Sequence, residues 1–150
     1  MVDILHRIGT TRTPAEVFAT LSTIDGLAGW WTEDTTGDPT VGGTIRFRFD
    51  GAPDPGGFDT RVLETRPDEL VLWEVTEGPE EWVGTRVRFE LKRDDDHTIL
   101  LFSHLGWPQA GEFMHHCSTK WATFLMSLKR LVETGTGEPA PHDVRISNWH

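Results

Sequence analysis

The chain contains no tyrosine and only one cysteine, and no wholly aliphatic or aromatic run exceeds four residues. Without phenols, one common general acid is missing. A single thiol, Cys117, excludes an internal disulfide and a zinc cluster. A run of four is far short of the ~20 residues that span a membrane. Basic residues are also scarce, 14 against 24 acids, for a net charge of −10. That balance excludes the cationic stripe that neutralises nucleic-acid phosphates and the polybasic patch that holds anionic lipid. Neither nucleic acid nor membrane is therefore an expected partner. The opening MVDILHRIGT carries Asp3 and no long apolar segment. It does not read as a signal peptide, so a cytoplasmic location is expected. There is no G-x-S-x-G elbow, no G-x-x-x-x-G-K-[ST] loop and no G-x-G-x-x-G after a strand, which removes the corresponding hydrolase, NTPase and dinucleotide chemistries.

What the chain has in quantity is seven tryptophans and eight phenylalanines among 150 residues. This length fits one domain, with regular structure over about 3–135 and an extended tail over 136–150. Ile4, His6 and Ile8 alternate with Leu5 and Arg7 in a first strand. Thr13-Pro14-Ala15-Glu16 then forms a capping box, with proline at the first helical position. A second short helix over 22–31 ends in Trp30-Trp31. Period-two patterning follows in strands starting at Thr44, over 58–66, 70–75 and 84–92, and over 98–105. Gly51 to Gly57 reads as a turn, and Arg93 to Asp96 as a hairpin loop. One long helix closes the pattern. Its apolar stripe is Cys117, Trp121, Phe124, Leu125, Leu128, Leu131 and Val132. Consecutive strands with helices at the two ends predict an α+β fold, in which a curved antiparallel sheet wraps a long C-terminal helix.

That order resembles the SRPBCC (START/Bet v 1-like) superfamily, specifically its activator of Hsp90 ATPase homologue 1-like (AHSA1) branch. The resemblance is carried by TPAEVFATL, by GLAGWW, and by Arg61-Val62 through Leu70 to Trp73. It continues in His104-Leu105-Gly106-Trp107, in Trp121 with Phe124-Leu125 and Leu128, and in Gly137-Glu-Pro-Ala-Pro141. It implies a helix-grip fold around a hydrophobic cavity that binds or transforms small apolar molecules. The co-chaperone that names the branch carries an additional N-terminal domain, so the resemblance disfavours an Hsp90-type chaperone as partner.

The candidate ligand-binding cavity takes Phe47, Phe49, Trp73, Phe89 and His104 from the strands, and Phe113, Cys117 and Trp121 from the facing helix; ordinary core is the alternative reading. His104 shares a strand face with Thr98, Leu100 and Phe102. It is the one weak candidate for a catalytic acid or base, against a structural histidine, with Glu74 as a conceivable neighbour. His115-His116-Cys117 lacks the i, i+4 spacing of a helical metal pair, so no metal or other cofactor is expected. Arg46, Arg48, Arg86 and Arg88 read as a solvated face paired with acids such as Asp50 and Glu90. Ile99, Leu101 and Leu105 form an apolar outer face compatible with a homodimer. The expectation is a small soluble protein that binds a small apolar or aromatic molecule without catalysis. The alternatives are a polyketide cyclase/aromatase-like enzyme and a chaperone-interaction domain.

Overall fold

The computed structural model describes residues 1–49 and 56–150. Strand β1 (Val2–Thr10) leads into helices α1 (Pro14–Ser22) and α2 (Ile24–Trp30). Six strands follow: β2 (Asp34–Gly37), β3 (Thr44–Arg48), β4 (Gly57–Arg66), β5 (Leu70–Glu77), β6 (Arg86–Asp94) and β7 (His97–Trp107). Helix α3 (Glu112–Thr134) ends the regular structure. Among the described residues the strands make one seven-stranded antiparallel sheet, ordered β1-β7-β6-β5-β4-β3-β2. This is the helix-grip architecture, with α3 gripped by the curved sheet. No described helix is long and apolar enough to cross a membrane.

Local chemistry accounts for most element boundaries. Thr13 accepts from the Glu16 amide and Glu16 reaches back to Thr13, so the capping box at the start of α1 is complete. Thr23 ends α1 and caps α2 in one step, its hydroxyl accepting from the Gly26 amide at 3.0 Å. Gly135 terminates α3 in the left-handed conformation, at φ 85°, with its amide bonded to Leu131 O. The β6–β7 hairpin is tighter than the loop expected over 93–96, because the strands run to Asp94 and resume at His97. The turn expected at 51–57 lies mostly outside the described residues. Strand β2 had no signal of its own: Asp34-Thr-Thr-Gly37 is short and polar, and becomes a strand only by pairing with β3.

Register decides which side chains face α3. The pairs Ile4↔His104, His6↔Phe102 and Ile8↔Leu100 join β1 to β7, and Val87↔His104 and Phe89↔Phe102 continue them into β6. Since facing residues in a ladder share a sheet face, all of these look inward. Glu74 pairs with Arg86 on the opposite, outer face, so it cannot neighbour His104. Arg46 and Arg48 both reach Asp59, at 3.9 and 2.8 Å, and Arg88 reaches Glu90 at 3.3 Å. The Asp50 partner expected for this group lies outside the described residues. On the outer face Leu5 is exposed and Leu101 and Leu105 are half-buried, whereas Ile99 is buried.

Candidate functional site

The concave side of the sheet is filled from α2. Trp31, at the C-terminal end of α2, reaches into the space between sheet and α3. It stacks parallel on Trp73 at 5.9 Å and packs tilted against Phe47 at 4.2 Å and Trp121 at 4.7 Å. Phe89 closes edge-on against Trp73 and Trp30. Each fully buried side chain of this size contributes roughly 1.5–3 kcal/mol. Phe47, Trp73 and Phe89 are therefore packed solid, each with no exposed surface.

His104 belongs to the same dry layer. The Trp121 indole Nε1–H donates to His104 Nδ1 at 3.1 Å, which leaves the imidazole proton on Nε2. Nε2 in turn donates to the Thr85 hydroxyl at 2.8 Å, and that hydroxyl donates to the Trp82 carbonyl at 2.5 Å. Both ring nitrogens are thus occupied, and burial drives the imidazole down to about 3. The group is a neutral, positioned histidine across the working pH range.

The open space lies to one side of this layer. A pocket of about 720 Å³ opens between the β3–β4 side of the sheet, the first three turns of α3 and the C-terminal tail. Phe49, Phe113, Cys117 and Trp121 of the expected set line it, joined by Trp31, Phe58 and Trp82. Phe47, Trp73, Phe89 and His104 lie a layer deeper. Trp82 comes from the β5–β6 connection, a segment without periodicity to reveal its direction. It packs on Phe58 at 4.5 Å and edge-on to His104 at 4.6 Å. The Trp82 indole N–H is buried without a hydrogen-bond partner among the described residues, beside the Cys117 thiol. Burial pushes that thiol up to about 12, so Cys117 is no nucleophile.

The tail is not the simple extension expected over 136–150. Glu138 N donates to Ser127 Oγ at 2.7 Å, and Ala140 N donates to the Trp31 carbonyl at 2.8 Å. Gly137 is required here because a Cβ would lie 2.4 Å from the Gly29 carbonyl oxygen. Beyond Pro141 the strap crosses the pocket mouth. The Asp143 side chain, 2% exposed, receives the Lys120 ammonium at 2.5 Å and meets His150 at 3.2 Å. Burial alone would raise the Asp143 pKa, but the bond and charge of Lys120 and the bond from His150 outweigh it and hold the carboxyl below its ordinary value. Lys120 also donates to the Val144 carbonyl at 2.8 Å, and Trp149 packs on His116 at 5.4 Å. Lys120 was legible in principle: it sits three residues after Cys117 and four before Phe124, a charge set into an apolar stripe. The strap residues carried no such signal.

His115 turns back to the Gly111 carbonyl at 2.7 Å while His116 faces the strap. Among the described residues no group of three or more His, Cys, Asp or Glu side chains converges.

Comparison with known proteins places this geometry. The family model described as activator of Hsp90 ATPase homolog 1-like protein matches residues 11–133. The solution structure of the Aha1 dimer from Colwellia psychrerythraea is similar, with TM-score 0.82 and 43% identity over 91% of this chain and 100% of that one. CalU16 from Micromonospora echinospora gives TM-score 0.75 at 18% identity, over 97% of this chain and 74% of its own. The protein SSP2350 from Staphylococcus saprophyticus gives 0.74 at 15%, over 93% and 98%. At such identities the last two show the fold alone. No curated protein matches.

Proposed function

The chain belongs to the activator of Hsp90 ATPase homologue 1-like family, and on that premise we propose that it is a binding protein. In this reading it holds a small hydrophobic or aromatic molecule in the pocket between sheet, α3 and strap, without transforming it. The observation that carries the reading is the aromatic wall of Trp31, Phe49, Phe58, Trp82, Trp121 and Phe124 around about 720 Å³ of space. Small-molecule sites are concave, mostly apolar and roughly 300–1,000 Å³. Two features favour binding over catalysis: both nitrogens of His104 are engaged, and the Cys117 thiol is held protonated. A polyketide cyclase/aromatase-like enzyme would have to draw its acid or base from the other titratable groups that line the pocket, among them His116, Asp143 and His150. Native mass spectrometry and thermal melting against a panel of apolar and aromatic probes test the proposal. A ligand at 100 times its Kd should raise the melting temperature by roughly 5–10 °C. A panel without a single binder would overturn it.

A second reading has its own support, because the similar protein from Colwellia psychrerythraea is named an Aha1 and is a dimer. On that reading the chain associates with an Hsp90-type ATPase, and it pairs with a second copy through its outer face at Leu5, Leu101 and Leu105. Unchanged ATPase turnover in its presence dismisses the first part, and a monomeric mass in sedimentation dismisses the second.

A further inference from the structure

Among the described residues, the lining of the pocket is opposite in charge to the chain as a whole. The chain as a whole is −10, yet the described residues lining this pocket present two cations, Lys120 and Arg145, and two imidazoles, His116 and His150, against one carboxylate, Asp143. That carboxylate is already engaged by Lys120 and His150. Arg145 stands exposed on the strap and enters none of the ion pairs of the described residues. Lys120 has three N–H donors and spends two of them, on Asp143 and on the Val144 carbonyl. The third remains, with the ammonium 5.1 Å from the Phe124 ring centre. His116 responds to the same field: burial lowers its proton affinity, and the charges of Lys120 and His150 lower it further. Among the described lining residues Arg145 is thus the cation left without a carboxylate.

We propose that the pocket selects an amphipathic anion, with a flat aromatic body against Phe49, Trp82, Trp121 and Phe124 and a carboxylate head held at the mouth by Arg145 and Lys120. The inference rests on reading the pocket as a ligand site and adds the charge of the occupant. Water-excluding aromatic walls strengthen a charge-assisted bond at their edge. A hydrogen bond to a charged group is worth about 1.5–3 kcal/mol net, or roughly a ten- to hundredfold gain in affinity.

Matched probes separate the two claims. 2-Naphthoate and the neutral 2-naphthalenemethanol are titrated calorimetrically into the full chain, and into Arg145→Gln and Lys120→Gln, with circular dichroism confirming each fold. The expected result is at least about a tenfold preference for naphthoate, reduced at high salt and in Arg145→Gln. Bound naphthoate should also raise the His116 pKa, followed by NMR, because it offsets the neighbouring cations. Equal affinity for both probes overturns the anion preference and leaves the pocket reading standing. A naphthoate preference unchanged in both variants overturns the placement of the head. Binding of neither probe overturns the pocket reading and this inference together.

Discussion

The indole of Trp121 on α3 donates its N–H to Nδ1 of His104 on β7 at 3.1 Å, across the seam between helix and sheet. The hydrophobic driving force is non-directional, but this bond is directional. It fixes the rotation of α3, and through Thr85 it fixes the β5–β6 connection that carries Trp82 into the pocket wall.

Acid should act on this contact first. In the unfolded chain the imidazole takes up a proton as pH falls through 6.5, whereas the folded protein resists until about 3. The unfolded state binds more protons between those values, so His104 leaves stability intact above 6.5 and erodes it as pH falls toward 3. The erosion is up to about 1.4 kcal/mol per pH unit. Urea midpoints at pH 7 and pH 5 should differ more in the parent protein than in His104→Gln. Equal differences would contradict the assignment.

Asp143→Asn removes the carboxylate that faces a mostly buried ammonium, Lys120. The variant should lose about 1–3 kcal/mol, below the figure for a fully buried pair because Lys120 keeps some solvent. The strap should then detach and be cut by protease while α3 and the strands that pack on it stay protected. An unchanged digestion pattern would show that the strap is held elsewhere.

Gly137→Ala should cost about 1–3 kcal/mol, since its Cβ would meet the Gly29 carbonyl oxygen at 2.4 Å. Gly111, the N-cap of α3, has open space around it and no side chain to cap the helix. Gly111→Ser should therefore gain a few tenths of a kcal/mol. Thermal melts of the two variants should move in opposite directions.

Cys117 should be unreactive in the native state. Its shift from 9.0 to about 12 lowers the thiolate fraction about a thousandfold. An aromatic disulfide reagent should label it only in denaturant. Rapid native labelling would mean that the pocket floor opens.

Much of this was written locally. The capping box at Thr13, the Cys117-to-Val132 stripe and the alternation in the strands each depend on residues a few positions apart. They specified the α+β order and set His104 on one strand face with Leu100 and Phe102, while the inward direction of that face came from the family resemblance. They could not specify occupancy of the space between sheet and helix. Phe47, Trp73 and Phe89 read as a cavity lining only with the family resemblance, with ordinary core as the alternative; Trp31, arriving from α2, fills that space, and the opening lies toward the strap.

By itself, then, the sequence determined every element but β2, and their order, because periodicity and caps act over one or two turns of chain. Only the tertiary structure decided where the pocket lies and what rims it. Trp31, Trp82, Lys120 and Asp143 are brought together from α2, a connection, α3 and the strap. No local pattern encodes a meeting of residues more than 100 positions apart. That meeting follows from which aromatic ring fills the core and which carboxylate a buried lysine requires.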